Sequence, residues 1–293
     1  MSAAAIVLFL IALLAAKTDI AQAQGIDKVV ALSNLCFALP LAVFGAEHLS
    51  AARGIAQGVP SYVPWHLFWA YFVGFALIAA SLSIATKIQV RWSGLLFGIM
   101  MFLFVAMMDI PGTLADSKNR IAWTLLLREL AFGGGGWILA ASALRERSRG
   151  QSREQGHGQG ISMLITVGRV LIGIAAIFYG VETFLHPLGM PGIPLEKLMS
   201  EWIPGRLFTG YLTGAILVVA GAAILLARGT RMAATYLGSW IVLLVVLVYG
   251  PILIAALLDP STGVKVEGLN YFFDTLLFGG AVLALANATA RAD

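Results

Sequence analysis

The sequence predicts an all-α, polytopic integral membrane protein made of two parallel four-helix bundles with an extra N-terminal helix. Three observations lead to this fold class: an apolar composition, eight long apolar stretches, and a pattern that occurs twice. Of the 293 residues, 59% are hydrophobic and only 12% are charged, and the mean hydropathy is +0.89. A soluble domain carries about 25% charged residues, so this chain has too little polar surface to face water. The lipid bilayer is therefore its expected partner.

Eight apolar stretches are long enough to cross a bilayer, whose hydrocarbon core requires about 20 residues of α-helix. Proline and glycine occur in most of the intervening loops, which is typical of turns between helices. The first four and the last four stretches form the two predicted bundles. The predicted spans run over residues 27–49, 63–86, 92–109, 121–144, 161–185, 206–227, 232–258 and 268–288.

The two groups of four spans carry the same local pattern. Residues 63–75 match residues 203–215 at Pro, Leu, Phe, Tyr and Gly positions, all at an offset of 140. The sequence FGAE that ends at Glu47 matches the YGVE that ends at Glu182 at an offset of 135, and an FGG recurs at an offset of 146. Offsets that change only at loops indicate an old duplication. The predicted domains are an N-terminal segment at 1–25, a first repeat at 26–144, a polar linker at 145–160 and a second repeat at 161–293.

An even number of spans returns the chain to the side on which it began, so the repeats are predicted to be parallel and not inverted. Cytoplasmic loops are richer in Lys and Arg than external loops. One predicted face carries ten such residues, including those of the linker 145–160, and the other face carries six. We therefore expect a multi-pass protein of the cell inner membrane, with the linker in the cytoplasm.

Residues 3–22 are predicted to form the extra helix. A cleaved signal peptide is one alternative, but the first positive charge, Lys17, follows the apolar run instead of preceding it. A short helix lying at the membrane interface is the other alternative.

Charged and histidine side chains inside the predicted spans are the candidate functional residues. A charge within a span costs roughly 2.5–3.5 kcal/mol on insertion scales, so it persists where it is paired, hydrated or useful. By their positions along the spans, these groups all fall in the outer half of the bilayer, whereas the inner half is expected to be almost entirely apolar. This distribution predicts an outward-facing polar pocket, with tryptophans near the headgroups. The candidate pocket residues are Glu47, His48, His66, Trp65, Trp69, Asp109, Arg128, Glu129, Glu182, His186, Arg206 and Asp274.

Several pairings are expected among these residues. Glu182 and His186 are four residues apart on one helix and can meet. Arg128 is expected to pair with Glu47 or Asp109. In the second repeat, Arg206 is expected to pair with Glu182 or Asp274. Three alternative roles follow for these groups. They form buried ion pairs that fix the helix packing, they bind a substrate, a quinone headgroup or a proton, or they extend to the outer membrane interface.

Other kinds of site are disfavoured. The single cysteine, Cys36, cannot form an intrachain disulfide or a redox pair. We expect no metal site, because metal-ligand spacings are missing, although a cluster of Glu182, His186 and Asp274 is conceivable. The net charge of +4 comes without a basic run of five residues, so nucleic acid is not an expected partner. The four glycines at 133–136, and Gly279 and Gly280 in the second repeat, are predicted to pack helices closely.

The sequence Phe44-Gly45-Ala46-Glu47-His48, the loop that reaches Val63-Pro64-Trp65-His66 and the segment 71–74 resemble the DoxX-like superfamily of small membrane proteins. The resemblance implies a four-helix unit at 26–144, and more weakly a second unit at 161–288. Some members of this superfamily are membrane subunits of quinone-linked oxidoreductases, and others act in oxidative-stress complexes. The second repeat has Thr183 where the first has His48, so a shared catalytic histidine does not follow.

The expected function is that of a DoxX-like accessory subunit that binds quinone or another membrane-soluble small molecule in the outward-facing pocket, with partner proteins in a membrane complex. The chain is not expected to be an autonomous enzyme; if it is enzymatic, the resemblance implies a quinone-linked oxidoreductase subunit. A transporter of lipids or small molecules and a structural scaffold of an envelope complex are the alternatives. An isomerase that uses Glu47 or Glu182 as acid and base is a more distant one.

Overall fold

The computed structural model describes residue 13 and residues 17–149 and 157–289 of the chain. Within these residues the regular structure is helical, apart from one isolated bridge between Gly189 and Leu198. Eight long helices follow one another. They are α1 (Asp27–Ser50), α2 (His66–Thr86), α3 (Val90–Ala115), α4 (Arg120–Arg149), α5 (His157–Leu185), α6 (Arg206–Leu225), α7 (Thr230–Leu258) and α8 (Thr262–Ala288).

Seven of these helices, all except α4, are long and apolar enough to cross a membrane. In lipid a chain must satisfy its backbone hydrogen bonds internally, and a helix does so within one segment. The prediction of an all-helical, multi-pass membrane protein is confirmed at this level. Helix α4 is less apolar because it contains Arg128, Glu129 and the four glycines at 133–136. Its residues 131–141 are almost all buried against other helices, so its composition is not dictated by lipid.

The segment between helices α4 and α5 is shorter than the predicted linker 145–160. Helix α4 continues to Arg149 and α5 begins at His157, so both helices enter the predicted linker 145–160. Arginine and glutamate favour helix in the segment that follows Leu144. The Arg145 guanidinium also donates to the Ala288 carbonyl at 2.9 Å, which holds the end of α4 against the end of α8.

The extra N-terminal helix predicted at 3–22 lies mostly outside the described residues. Residue 13 and residues 17–22 are helical. Asp19 in this segment forms an ion pair with Lys87 just after α2.

The helices of the two halves are interleaved. Helix α1 packs on α2 of its own half and on α8 of the other half, and α5 correspondingly packs on α6 and on α4. Helices α4 and α8 also pack on each other. Buried hydrophobic side chains of both halves form one continuous cluster. The predicted arrangement as two separate bundles is therefore not confirmed, because the last helix of each half packs against the first helix of the other.

Backbone irregularities recur 140 residues apart. Helix α3 contains a π-helical turn at Val105–Asp109, and α7 contains one at Val245–Tyr249. Three left-handed residues of the first half also have left-handed counterparts at this offset in the second, with φ between 56° and 60° in all six. The pairs are Trp65 and Gly205, Lys87 and Ala227, and Gln89 and Gly229.

Close contacts between helices are made at glycines in corresponding places. A methyl group added at Gly45 of α1 would lie 2.8 Å from the Gly74 carbonyl oxygen of α2. One added at Gly180 of α5 would lie 2.9 Å from the Gly214 carbonyl oxygen of α6. Both distances are shorter than a normal carbon–oxygen contact. These helices can therefore approach so closely only because glycine has no side chain.

Candidate functional site

A buried ion pair joins the two halves of the chain. The Arg128 guanidinium of α4 donates from Nη1 to Asp274 Oδ2 of α8 at 2.6 Å and from Nη2 to Glu129 Oε1 at 2.9 Å. These side chains are 19%, 8% and 16% exposed for Arg128, Asp274 and Glu129 respectively, so the charges are largely shielded from solvent. The expected partners of Arg128, Glu47 and Asp109, were wrong, because α4 packs on α8 and places Asp274 nearer.

Glu47 approaches this ion pair from α1. Its carboxylate lies close to the Asn270 side chain and within electrostatic range of Asp274, both on α8. The neighbouring His48 is turned away, and its Nδ1 lies 2.8 Å from the Phe44 carbonyl oxygen of its own helix. We call Glu47, Arg128, Glu129, Asn270 and Asp274 the Arg128 cluster. It brings together three helices, α1, α4 and α8, with three carboxylates for one guanidinium.

Asp109 lies beside this cluster at the end of the π-helical turn of α3. It is within electrostatic range of Arg128 and Glu129. Its Oδ2 atom is buried and has no hydrogen-bond partner among the described residues. The Tyr62 hydroxyl, on the loop before α2, donates to the Met107 carbonyl within the same turn at 3.1 Å.

Asp109 also lines an open cleft of about 520 Å³, which we call the Asp109 cleft. The loop between α1 and α2 forms one wall and the π-helical turn forms the other. Asp109 is the one charged group in a lining that is otherwise apolar or neutral. The lining residues are Gly58, Pro60, Ser61, Tyr62, Met107, Met108, Asp109 and Pro111.

Glu182 forms a second, looser cluster with Arg120 and His186. Its Oε2 atom lies 3.7 Å from Arg120 Nη1 and 3.8 Å from His186 Nε2. The predicted meeting of Glu182 and His186 is confirmed. The expected pairing of Arg206 with Glu182 or Asp274 was wrong: Arg206 Nη1 donates to the Met199 carbonyl at 3.3 Å, and Arg120 of the first half takes its place beside Glu182.

The tryptophans lie outside the Asp109 cleft. Trp65 is 77% exposed, and the Trp69 indole donates to the Pro64 carbonyl at 3.0 Å. Trp69 packs with Phe68 and Phe72 on the outer face of α2, and His66 is the first residue of that helix. This placement is typical of side chains at a membrane interface. The structure brings Trp65, Trp69, His48 and His66 to the same end of the bundle as the clusters but not into contact with Asp109.

Sequence reasoning missed four polar residues. Tyr62, Asn270 and Arg120 are ordinary polar residues near helix ends, and nothing in the sequence shows which helix they face. Arg169 carried a signal, since it is a charge inside the span 161–185. Its Nη1 donates to the Ile224 and Leu225 carbonyls at 2.6 and 2.7 Å, where the last carbonyls of α6 lack helical partners. The set of charges recognised within the predicted spans therefore omitted this residue.

Metal and thiol chemistry find little support among the described residues. No group of three or more His, Cys, Asp or Glu side chains in this part of the chain is arranged to hold a metal ion. Cys36 is a buried free thiol in the core between α1 and its neighbours.

Comparison of the chain with protein-family models, with curated proteins and with solved structures finds no match. The resemblance to the DoxX-like superfamily therefore stays a prediction from the short motifs around Glu47 and Pro64.

Proposed function

We propose that this protein binds a membrane-soluble small molecule in the Asp109 cleft, as an accessory subunit of the DoxX-like kind in the inner membrane. The observation that carries the proposal is the unpartnered, buried Oδ2 atom of Asp109 beside an open cleft with apolar walls. Small-molecule sites are concave and mostly apolar, with a few polar groups that orient the ligand. A buried acceptor without a donor costs about 1–3 kcal/mol. Asp109 lines the cleft, so a rotation of its carboxylate toward a ligand hydroxyl or amine would offset that cost.

A tandem duplication of a four-helix unit is part of this proposal. The repeated sequence pattern supports it, as do the two π-helical turns and the three pairs of left-handed residues at the same offset of 140. In two parallel units related in this way, each element of one half has a counterpart in the other. With the linker in the cytoplasm, the Asp109 cleft then opens toward the outer leaflet.

A quinol, the reduced form of a quinone, fits this kind of site. Its ring is apolar enough to lie against Met107, Met108 and Pro60, and its hydroxyl groups can donate to the Asp109 carboxylate. The Arg128 cluster beside Asp109 contains three carboxylates for one guanidinium, so it is a place where protons can be held near the ligand. Both features suit a subunit that holds quinone for a partner protein.

A structural scaffold is the second candidate function. The ion pairs Arg128–Asp274 and Arg120–Glu182 each join one half to the other, as packing devices would. A scaffold requires these pairs for folding but does not require Asp109. A transporter is less well supported, because Arg169, a charge in the predicted inner half, is engaged in holding the end of α6.

The test is native mass spectrometry of the purified protein with lipid extraction, applied to Asp109→Asn. We expect the copurified small molecule to fall roughly tenfold or more in occupancy, since a charged hydrogen bond contributes about 1.5–3 kcal/mol. Asp116→Asn is the matched control, because Asp116 is exposed seven residues further along the chain, and it should leave occupancy unchanged. Equal occupancy in wild type and Asp109→Asn, with both folded, would favour the scaffold.

A further inference from the structure

The place that corresponds to the Asp109 cleft in the second half is filled by the protein itself. The loop between α5 and α6 is longer than the loop between α1 and α2, because the offset rises from 135 at Glu182 to 140 at Pro204, a difference of 140 − 135 = 5 residues. Side chains of this loop are among the most deeply buried in the molecule. Met190, Ile193 and Met199 are 1%, 1% and 2% exposed.

This loop reaches the end of the second π-helical turn. Tyr249, the last residue of that turn, is 1% exposed, and its hydroxyl donates to the Pro191 carbonyl at 2.6 Å. A methyl group placed on Gly192 would lie 3.3 Å from Thr275 of α8 and 3.7 Å from Ile241 of α7. Residues 191–193 therefore sit between α7 and α8 as an occupant with apolar side chains, and its Pro191 carbonyl oxygen accepts from Tyr249.

Two residues at the second place have counterparts at or near the Asp109 cleft. Tyr249 corresponds to Asp109 at the end of the π-helical turn, at the offset of 140. Thr275 corresponds to Glu129 at the offset of 146 between α4 and α8, and Thr275 lies near Tyr249 as Glu129 lies near Asp109. In the first half the loop is shorter, and its residues 58–62 form one wall of the open Asp109 cleft.

The hydrogen-bond roles are reversed between the two places. In the second half the wall donates, through the Tyr249 hydroxyl, and the occupant accepts, through a carbonyl. A carboxylate can only accept, so an occupant of the first half has to donate to Asp109. We infer that the Asp109 cleft takes an amphiphile whose apolar part lies against Met107, Met108 and Pro60 and whose head is a hydroxyl or an amine, and not a carbonyl alone. This inference rests on the proposed function.

The test uses two photoreactive probes with the same diazirine-bearing dodecyl chain, one ending in a hydroxyl group and the other in a methyl ketone. The full chain in detergent is irradiated with each probe, and labelled peptides are mapped by mass spectrometry. We expect the hydroxyl probe to label the peptides containing Tyr62, Met107 and Met108 roughly tenfold more than the ketone, which cannot donate to a carboxylate. In Asp109→Asn the ratio should fall to about one, because an amide both donates and accepts.

A deletion variant tests the hydrogen-bond roles at the second place. Deleting residues 190–194 opens the second place and leaves the Tyr249 hydroxyl as a free donor, so the ketone probe should now label the peptide that contains Tyr249.

If neither probe labels the Asp109 cleft above the level found on lipid-facing helices, the proposed function itself fails. If both probes label the cleft equally in the wild type, the cleft binds small molecules but the inference about the donating head is wrong. If the deletion variant does not fold, the wild-type ratio and its loss in Asp109→Asn still decide the matter.

Discussion

Trp65 adopts a backbone conformation that a glycine adopts in the other half of the chain. Its φ of 59° is left-handed, as is the φ of 60° at Gly205, and each residue immediately precedes the helix that follows it. A left-handed conformation costs an L-residue roughly 1–2 kcal/mol, which glycine avoids. Backbone preference therefore does not explain a tryptophan at this position. Its exposed indole ring is well placed to anchor the chain at the membrane interface.

We expect Trp65→Gly to be more stable than Trp65→Ala by about 1 kcal/mol, because both variants lose the indole but only glycine relieves the left-handed strain. The measurement is the unfolding free energy in mixed detergent micelles. Gly205→Ala provides the reciprocal control and should lose a similar amount. Equal stability of Trp65→Gly and Trp65→Ala would show that this position carries no backbone strain.

The candidate site residues were only partly foreseeable at the residue scale. A charge in an apolar span, such as Glu47 or Arg128, is visible in the sequence because its insertion cost must be offset. Its partner is not visible, since Arg128 meets Asp274 across a helix pair that lies 146 residues apart in the chain. Asn270 beside Glu47 has no signal at all, because a single amide within a helix does not show which neighbouring helix it faces.

At the scale of elements, the apolar stretches predicted the helices to within a few residues at most ends. The π-helical turns were not predicted, although Pro111 and Pro251 follow them in the sequence. A proline has no amide hydrogen for the carbonyl four residues earlier, which disrupts the regular α-helical hydrogen bonding there. The glycines of the helix contacts were foreseen as packing positions in α4 and α8, and the structure adds those of α1, α2, α5 and α6.

Substitution of these contact glycines should separate the helices. We expect Gly45→Ala and Gly180→Ala each to destabilise the protein by roughly 1–3 kcal/mol, because the new methyl group overlaps a backbone carbonyl that cannot move alone. Thermal unfolding in detergent is the measurement. Gly112→Ala is the matched control, since nothing lies within 4 Å of a methyl group at that helical position, and it should be neutral or slightly stabilising. Tolerance of both contact substitutions would contradict the close approach.

At the scale of the whole molecule, Arg128 and Asp274 occupy corresponding positions of the two proposed units and pair with each other. Gly135 and Ala281 also correspond at the offset of 146, and a methyl group at Gly135 would lie 2.5 Å from the Ala281 Cβ atom. Positions that meet their own counterparts lie on a twofold axis. In a symmetric dimer such a position faces an identical residue, so an Arg–Asp pair there requires two halves that have diverged.

Exchange of the two charges tests this arrangement. We expect Arg128→Asp to destabilise the protein by about 3–5 kcal/mol, because it leaves carboxylates facing each other without their buried partner. The double variant Arg128→Asp with Asp274→Arg should recover at least half of that loss, although the new aspartate then lies beside Glu129. Unfolding free energies of the two single variants and the double variant give the coupling.

The exposed pair Lys197–Glu267, 35% and 43% exposed, is the control for that cycle. Lys197→Glu should cost less than about 1 kcal/mol, as surface ion pairs do. A double exchange at 128 and 274 that is no more stable than Arg128→Asp would mean that the orientation of the pair is set by its surroundings and not by the two charges.

Composition and local sequence predicted the location in a membrane, the helical spans and the recurrence of a pattern. The first two followed because insertion into lipid depends on the apolar content of each segment. Which charges meet, and where the molecule stays open, did not follow. Those outcomes depend on the packing of α4 against α8 and on how the loop between α5 and α6 is buried while the loop between α1 and α2 lines an open cleft. Packing between distant segments is a property of fitted surfaces, and a single sequence shows each surface without its partner.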